Sequence, residues 1–264
     1  MKQNIYDNPL FFEGYQKLRD GDTGLNGAVE DPAIRSLLPS LNGLSVLDLG
    51  SGFGDFCRFA RANGASSVVG VELSERMLEV ARKRTSDGKI AYVHEAIEDF
   101  TIQPVAYDLI VSRMALHYVQ DYRAVVFSIF RGLRSGGTFL CSVEHPICTA
   151  LCEGWYENGG GKQLHWPVDD YSAEGERRYH WFVDGVIKHH RTVETYVNTV
   201  LDAGFLLNRL LEPHVAQECV DSRPDLKATL RRPPILILQA SKPPTASQST
   251  TSSVTPPAGR EARP

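Results

Sequence analysis

Short apolar segments alternate with amphipathic segments along most of the chain, and this alternation predicts the fold class. The run Leu44–Leu49 is apolar and ends in glycines, which is typical of a buried strand followed by a tight turn. Strands that alternate with helices indicate a parallel sheet covered on both faces. The predicted strands are 44–49, 67–71, 90–93, 107–111, 138–143, 182–188, 205–211 and 235–240.

The helices predicted between these strands have recognisable starts. Ser74, Asp121 and Thr192 can each cap a helix, because a side-chain oxygen accepts a hydrogen bond from a free N–H of the first turn. Asp31 followed by Pro32 predicts another start, with Asp31 as the cap. Glycines are predicted to end two of these helices, at 136–137 and at 204.

This pattern predicts one α/β domain with additions. After residue 145 the periodicity stops, and the segment is rich in Gly, Trp, Tyr and His, so we interpret it as an insertion that covers an acceptor. The last residues are rich in Ser, Thr and Pro and have little to bury. The predicted divisions are a helical cap (1–40), a core (41–145), an insertion or lid (146–190), the C-terminal part of the core (191–240) and a disordered tail (241–264).

Composition excludes some function classes. The formal net charge of −4 argues against a broad basic surface for nucleic acid. The five cysteines are an odd number without an apolar signal segment, which favours a reducing, cytoplasmic setting. No apolar run approaches the roughly 20 residues of a membrane span. We therefore expect a cytoplasmic protein that binds neither nucleic acid nor membrane, in an oligomeric state that the sequence leaves open.

A glycine-rich loop after the first predicted strand carries the strongest chemical signal. It reads Asp48-Leu49-Gly50-Ser51-Gly52-Phe53-Gly54. Glycines allow a tight turn and a close approach of the backbone to a ligand, and a helix follows. Glu72 stands roughly 20 residues later, at the end of the second strand, where a carboxylate can accept hydrogen bonds from ribose hydroxyls. Together these features fit NAD or S-adenosylmethionine.

Two details favour S-adenosylmethionine. The spacing Gly-x-Gly-x-Gly lacks the third glycine that a pyrophosphate-binding loop places one residue later. Asp48 precedes the loop, where a carboxylate favours a cationic amino acid and repels a pyrophosphate. A structural turn with two surface acids is the remaining alternative.

The order of the motifs resembles class I S-adenosylmethionine-dependent methyltransferases of the small-molecule type. The run Val46–Met77 looks like their motifs I and II, although Ser51 stands where relatives often have cysteine. Residues 95–99, 107–112 and 133–137 resemble the adenine-side motif, motif IV and the turn before the fifth strand, so the resemblance covers about 40–145. Residues 15–19, 144–147 and 190–192 also resemble a subgroup of small-molecule methyltransferases.

The resemblance implies a Rossmann-like α/β fold: a seven-stranded, mostly parallel sheet with helices on both faces and an antiparallel last strand. It implies that Glu72 holds the ribose of S-adenosylmethionine, and that Asp48 lies near the methionine part. Arg19 is expected to reach the cofactor's carboxylate, with a surface arginine as the alternative. The predicted cofactor residues are Tyr15, Arg19, Asp48, Gly50, Ser51, Gly52, Glu72, Leu73, Met77, Ala96, Ile97, Glu98, Ser112 and Arg113.

The candidate catalytic residues follow the predicted fourth and fifth strands, whose carboxyl ends meet where ligands bind in such sheets. His145 is the first candidate base, because histidine exchanges protons near neutral pH. Glu144 is a candidate orienting or substrate-binding carboxylate, and His117 is a second candidate base. For both histidines, a purely structural role is the alternative.

The insertion supplies candidate acceptor-binding residues. Its aromatic residues are interpreted as a pocket wall or, equally, as a small separate core. Arg191 either faces the pocket or pairs with Glu194 or Glu212. The spacing of His145, Cys148 and Cys152 suggests zinc, but no fourth ligand is evident, so we expect no metal. The predicted substrate-binding residues are Tyr118, Trp155, Tyr156, Trp166, Tyr179, His190 and Arg191.

The sequence therefore predicts an enzyme that moves a methyl group from S-adenosylmethionine to a small-molecule acceptor, leaving S-adenosylhomocysteine. One alternative is a catalytically silent methyltransferase-like module that binds the nucleotide and regulates a partner. Another is an NAD-binding oxidoreductase. The acceptor atom stays open.

Overall fold

A seven-stranded sheet forms the centre of the protein in a computed structural model that describes residues 2–21, 24–151, 153–215 and 217–244. The described strands are β1 (Ser45–Leu49), β2 (Ser67–Glu72), β3 (Ile90–His94), β4 (Tyr107–Arg113), β5 (Leu133–Glu144), β6 (Tyr156–Glu157), β7 (Gln163–His165), β8 (Gly175–Trp181), β9 (Val183–His190), β10 (Leu206–Leu211) and β11 (Ile235–Ser241).

The order of the strands in the large sheet is β10-β11-β5-β4-β1-β2-β3. Strands β1 to β5 pair in parallel, whereas β11 runs antiparallel to both β5 and β10. This confirms the predicted fold class, including the antiparallel last strand. The strand order reverses beside β1 and β4, and open α/β sheets bind ligands at such a reversal.

The helices begin largely where their caps predict. Met77 donates its backbone N–H to Ser74 Oγ at 3.1 Å, Ala124 to Asp121 Oδ1 at 2.9 Å, and Thr195 to Thr192 Oγ1 at 3.1 Å. No described helix is long and apolar enough to cross a membrane. The described α-helices are α1 (Pro9–Asp20), α2 (Asp31–Leu37), α3 (Asp55–Ala62), α4 (Glu75–Lys83), α5 (Tyr122–Gly132), α6 (Pro146–Thr149), α7 (Val193–Asp202) and α8 (Gln217–Ser222).

An apolar layer covers each face of the sheet. On one face Leu47 and Ile110 pack in a cluster with residues of α5 and α7, and on the other Val46 and Leu109 pack in a cluster with residues of α2 and α3. Successive strand residues point to opposite faces, and here both faces are buried. The apolar runs that predict the strands are therefore continuous rather than alternating.

Three predicted boundaries are wrong. Helix α5 ends at Gly132 and β5 begins at Leu133, so the glycines at 136–137 lie inside the strand instead of ending the helix. Helix α2 begins at Asp31, which follows a π-helical turn, Asn26–Glu30, and therefore does not cap it. Residue Lys242 of the predicted tail donates its Nζ to the backbone oxygens of Phe130 and Leu133 at 2.8 Å. Residues 245–264 of that tail lie outside the described part of the chain.

The insertion contains an antiparallel hairpin, β8–β9, of which the sequence predicted only the second strand. In β8 half-buried and exposed residues alternate, but one of the half-buried residues is Arg177. Its guanidinium donates to the carbonyl oxygens of Ala150 at 3.2 Å and Ala173 at 2.5 Å. Since hydrogen bonds to backbone rather than hydrophobicity place this residue inwards, the usual strand pattern is hidden.

Residues 2–21 and 24–37, which we call the N-terminal cover, are tied to the sheet by a buried ion pair. Arg113, at the end of β4, donates Nη2 to Glu30 Oε2 at 2.8 Å and also to Asp31. Glu30 is fully buried and further accepts from Ser142 and Asn26. Burial opposes ionisation of Glu30, but the Arg113 guanidinium outweighs it and lowers the pKa of this carboxyl.

We expect Glu30→Gln to destabilise the protein by about 3 kcal/mol at neutral pH, because it leaves a buried guanidinium with only one carboxylate. Urea unfolding measures this change. Asp31→Asn is the matched control, and the cost should be below about 1 kcal/mol, since this partner is more exposed.

The pH dependence of the Glu30→Gln effect gives a second check. A carboxyl whose pKa is lowered by folding stabilises the protein above its ordinary pKa of 4.5, and this stabilisation is lost as the pH falls. The difference between wild type and Glu30→Gln should therefore shrink below that pH. A difference independent of pH would contradict the ion-pair account.

Candidate functional site

A cavity of about 730 Å³ lies where the carboxyl ends of the central strands meet the N-terminal cover and the β8–β9 hairpin. Its volume falls within the range of small-molecule sites. One half is walled by the glycine loop and the end of β2, which we call the loop half. The other is walled by the ends of β4 and β5 and by the hairpin, which we call the hairpin half.

The glycine loop needs glycine for conformation and for space. Gly50, Gly52 and Gly54 have φ of +80°, +53° and +73°, a region that other residues rarely adopt. A Cβ on Gly50 would lie 2.5 Å from Ala115 Cβ. A Cβ on Gly52 would meet no atom within 4 Å. The loop thus packs tightly against the protein at Gly50 and leaves open space at Gly52.

Glu72 lies at the end of β2 and lines the loop half. Its two carboxylate oxygens accept the backbone N–H groups of Gly52 and Ser74, each at 2.9 Å. Burial raises the pKa of Glu72. Because each oxygen has a second lone pair, the same carboxylate that fixes the loop can also accept hydrogen bonds from a ligand.

Asp48 is a buried carboxylate without a cation within salt-bridge distance in the described part of the chain. It accepts a weak hydrogen bond from the Cys57 thiol at 3.3 Å. Burial raises its pKa to about 7, although the charge of Arg113 acts in the opposite direction. A cationic ligand in the cavity would favour the ionised form of this group.

Next to Glu72, several predicted cofactor residues form a largely apolar wall. Leu73 is held by its carbonyl oxygen, which accepts from Asn4 Nδ2 at 3.2 Å and lies 2.8 Å from His94 Nε2. Ser51 Oγ is buried and has no hydrogen-bond partner among the described residues. The predicted cofactor residues that line this part of the cavity are Ser51, Leu73, Met77, Ala96, Ile97 and Glu98.

Four other predicted cofactor residues have protein partners. Tyr15 and Arg19 line the cavity, and Arg19 donates Nη2 to Asp55 Oδ2 at 2.8 Å. Arg113 also lines it, but its guanidinium is held by the carboxylates described above. Ser112 does not line it, because its Oγ donates to the Leu49 carbonyl oxygen at 2.8 Å and ties β4 to β1. A cofactor role for each stays a prediction.

In the hairpin half, Lys188 of β9 donates its Nζ to Glu144 Oε2 at 2.5 Å. Burial opposes the charge on Lys188, but Glu144 outweighs it and raises the pKa of the ammonium group. Aromatic rings surround this pair: the ammonium lies 4.5 Å from the centre of the Tyr179 ring and 5.4 Å from that of Trp181. The cavity therefore ends in an ion pair inside an aromatic wall.

The candidate residues His117 and Tyr118 also line the hairpin half. His117 Nδ1 accepts the backbone N–H of Glu144 at 3.4 Å, and burial lowers its pKa well below the ordinary value. Tyr6 donates its hydroxyl to that of Tyr118 at 3.4 Å. His117 is thus a neutral imidazole engaged with backbone at one nitrogen.

His145 does not line the cavity, contrary to its predicted role as a base. Its Nε2 lies 2.8 Å from Glu212 Oε1, and its Nδ1 accepts the backbone N–H of Ile147 at 3.2 Å. Both ring nitrogens are therefore used to hold the turn after β5 against the loop after β10. This geometry matches the structural alternative.

Most of the remaining predicted substrate residues lie away from the cavity wall. His190 is held by Thr149 Oγ1 at 2.7 Å, and Arg191 donates to the carbonyl oxygens of Val119 and Gln120, instead of Glu194 or Glu212. Of the aromatic residues of the insertion, Tyr179 and Trp181 line the cavity. Trp155 packs against Trp166, which accords with the separate cluster that the sequence left as an alternative, whereas Tyr156 is exposed and stacks on His165.

Sequence reasoning missed several cavity residues. The alternation Val186, Lys188, His190 places a lysine on the buried face of a strand, and this signal could have identified Lys188. Long-range packing brings in others without a local signal, among them Tyr6, Glu30 and Arg232.

Comparison with known proteins gives the family. Residues 47–141 match the family model described as a methyltransferase domain. The solved structure of an S-adenosylmethionine-dependent methyltransferase from Mesorhizobium loti is 40% identical, with a TM-score of 0.77 over 83% of this chain and 100% of that one. The chain belongs to the class I S-adenosylmethionine-dependent methyltransferases. Its cofactor is S-adenosylmethionine, and this decides between the two cofactors that the loop alone allows.

Two further relatives are similar over most of this chain. A Listeria monocytogenes structure assigned to the S-adenosylmethionine-dependent methyltransferases is 40% identical, with a TM-score of 0.75 over 80% of this chain and 96% of that one. A Haemophilus influenzae protein of uncharacterised activity is 36% identical over 249 residues, which are 91% of this chain and 98% of the relative. The similarity to these relatives thus extends beyond the matched domain to most of the chain.

The loop half fits this cofactor. Open space lies at Gly52, a carboxylate lies at the end of β2, and a buried acid, Asp48, lacks a cation. These features suit a ligand that carries ribose hydroxyls and positive charge. Metal ligation has no support among the described residues, and Cys152 of the considered zinc set lies outside them.

We expect Glu72→Ala to cost about 2–4 kcal/mol of affinity for S-adenosylhomocysteine, because two charge-assisted hydrogen bonds to the ribose are lost. Calorimetry measures this. Since Glu72 also supports the loop, the matched control is the 2′-deoxy analogue of the ligand, for which the substitution should cost less. Equal losses for both ligands would show that Glu72 acts only on the loop.

We expect the affinity for S-adenosylmethionine to depend on the ionisation of Asp48. Its pKa is about 7 without ligand, so below that pH a cation can pair with it only after a proton leaves. As the pH rises towards 7, the ratio of wild-type affinity to Asp48→Asn affinity should increase by up to about tenfold per pH unit, and above 7 it should level off. Calorimetry between pH 5.5 and about 7.5 tests this. Parallel pH profiles for the two proteins would count against a cation beside Asp48.

Proposed function

We propose that this methyltransferase acts on a small-molecule acceptor that binds in the hairpin half of the cavity. One observation carries the proposal: the loop half and the hairpin half form a single cavity, covered by the N-terminal cover and the hairpin. A covered cavity of this size can exclude water from the reaction, and it suits a small molecule better than a nucleic-acid strand.

The assignment of the two halves follows from their chemistry. In the loop half, Glu72, Asp48 and the apolar wall from Leu73 to Ile97 would hold S-adenosylmethionine by its ribose, its cationic part and its adenine. In the hairpin half, Tyr118 and Tyr179 would hold the acceptor by their rings. We propose no ligand contact for Ser112 or His145, because neither residue lines the cavity.

The reaction requires little covalent chemistry from the protein. S-adenosylmethionine supplies a methyl group on a sulfonium; the S–CH₃ bond breaks with its electron pair left on sulfur, and an acceptor lone pair forms the new bond. If the acceptor atom carries a proton, that proton must leave as well. The protein's main contribution is to hold the acceptor in line with the methyl group and to exclude water.

Glu144 is our candidate for the group that receives or directs that proton. It lines the cavity at the end of β5, and Lys188 fixes the orientation of its carboxylate. His117 is the second candidate, but the large fall in its pKa makes it a weak base. His145 is not proposed as a base, because both of its nitrogens have other partners.

Turnover with an acceptor panel tests the proposal. Purified protein and S-adenosylmethionine are incubated with phenols, carboxylic acids, amines and thiols, and S-adenosylhomocysteine is measured by mass spectrometry. For an acceptor that must lose a proton, Glu144→Gln should lower turnover by about 10²- to 10⁴-fold without changing cofactor affinity. His145→Gln, a histidine outside the cavity, is the control and should keep turnover near wild type.

The outcome separates the two remaining functions. Cofactor binding without turnover of any acceptor would contradict the enzyme and favour a catalytically silent module that regulates a partner. Turnover that survives Glu144→Gln unchanged would remove this residue from the mechanism while leaving the small-molecule reaction in place.

A further inference from the structure

Arg232 is an arginine at the cavity wall that the proposed reaction does not use. It stands between a 3₁₀-helix, Pro224–Leu230, and β11. Its segment is tied to the residue after β5, since His145 donates its backbone N–H to the Pro234 carbonyl oxygen at 3.0 Å. Its guanidinium lies 3.8 Å from the centre of the Trp166 ring. The side chain is therefore held in place by stacking rather than left free in solvent.

The charge of Arg232 is not neutralised by a carboxylate. Among the described residues its hydrogen-bond acceptor is a sulfur, Cys148 Sγ, at 2.8 Å from Nη1, and no carboxylate lies within salt-bridge distance. Its Nε is buried and has no partner there. Burial raises the pKa of the Cys148 thiol to about 12, so the sulfur stays neutral at physiological pH.

The groups around Cys148 leave an excess of positive charge. Arg232, Lys188 and Glu144 are all close enough to act electrostatically on this thiol. Lys188 and Glu144 neutralise each other at 2.5 Å. His117, also in this wall, is neutral because burial lowers its pKa. Two further carboxylates of the wall have other partners, Glu176 with Arg178 and Asp225 with Arg223. Arg232 is therefore a cation of this wall without a carboxylate partner among the described residues.

We propose that Arg232 binds an anionic group, a carboxylate or a phosphate, on the methyl acceptor. The proposal rests on the proposed function and deepens it by naming the class of acceptor. A guanidinium presents several N–H donors in a plane that matches the oxygens of both anions, and stacking on Trp166 leaves its edge available.

The distribution of charge in the cavity supports an anionic acceptor. Asp48 and Glu72 lie in the loop half, where the cofactor brings positive charge, whereas the unpaired cation lies in the hairpin half. An anion in the hairpin half is attracted both by Arg232 and by the positively charged sulfonium of the cofactor. A cationic acceptor would be repelled by both groups.

Binding of simple anions to the S-adenosylhomocysteine-saturated protein tests this proposal without turnover. The probes are benzoate, hexanoate and phenyl phosphate, and the neutral partners benzamide and hexanamide have the same shape as the two carboxylates. Calorimetry should show binding of at least one anion that exceeds binding of its neutral partner by about tenfold or more. Comparing the affinity for phenyl phosphate with the affinities for benzoate and hexanoate shows whether the site prefers a phosphate or a carboxylate.

Substitution then locates the site. Arg232→Gln should weaken anion binding by about 10- to 100-fold, because a hydrogen bond to a charged group is lost. Arg231→Gln is the matched control: this neighbour stacks on Trp155 and donates to the carbonyl oxygens of Gln163 and Leu164, away from the cavity. It should leave anion binding unchanged.

Each outcome bears on Arg232 separately from the enzyme proposal. Equal binding of anionic and neutral probes by wild type, no binding of any anion, or an equal effect of the two arginine substitutions would overturn the inference. If Arg232→Gln does not fold, Arg232→Lys keeps the charge but not the planar fork, and should still weaken anion binding. Failure of the acceptor panel alone would contradict the proposed function but not this anion site.

Discussion

The buried pair between Glu30 and Arg113 is the interaction on which the shape of the site depends. A guanidinium at the end of β4 cannot be buried without a carboxylate, and the N-terminal cover supplies two, from Glu30 and Asp31. The cover is therefore held over the carboxyl ends of the strands, where it places Tyr6 and Tyr15 beside the cavity.

In a covered cavity, a charged side chain is stabilised either by a partner in the protein or by a ligand of opposite charge. Lys188 and Glu144 satisfy each other. Asp48 in the loop half and Arg232 in the hairpin half have no partner of opposite charge among the described residues, and their signs are opposite. This separation suits a cationic cofactor in the loop half and an anionic acceptor in the hairpin half.

Local signals in the sequence were sufficient wherever the structure depends on neighbours along the chain. The glycine loop, the carboxylate at Glu72 and the helix caps at Ser74, Asp121 and Thr192 all act within a few residues or across one pair of strands. Tertiary packing decided the insertion instead. Its tryptophans packed on one another, and β8 was hidden because Arg177 faces inwards to hydrogen-bond with backbone.

The fold class and the place of the glycine loop could be predicted from the sequence, because apolar runs and glycine positions impose the backbone there. The loop itself allowed two cofactors, and the family decided for S-adenosylmethionine. The residues of the hairpin half follow from tertiary packing. Both ring nitrogens of His145 have partners outside the cavity, and Lys188 and Arg232 reach the cavity from segments distant in sequence. Charged residues brought together from distant segments show no hydrophobic periodicity in the sequence. Their positions follow from packing and desolvation rather than from the alternation of apolar and polar residues along the chain.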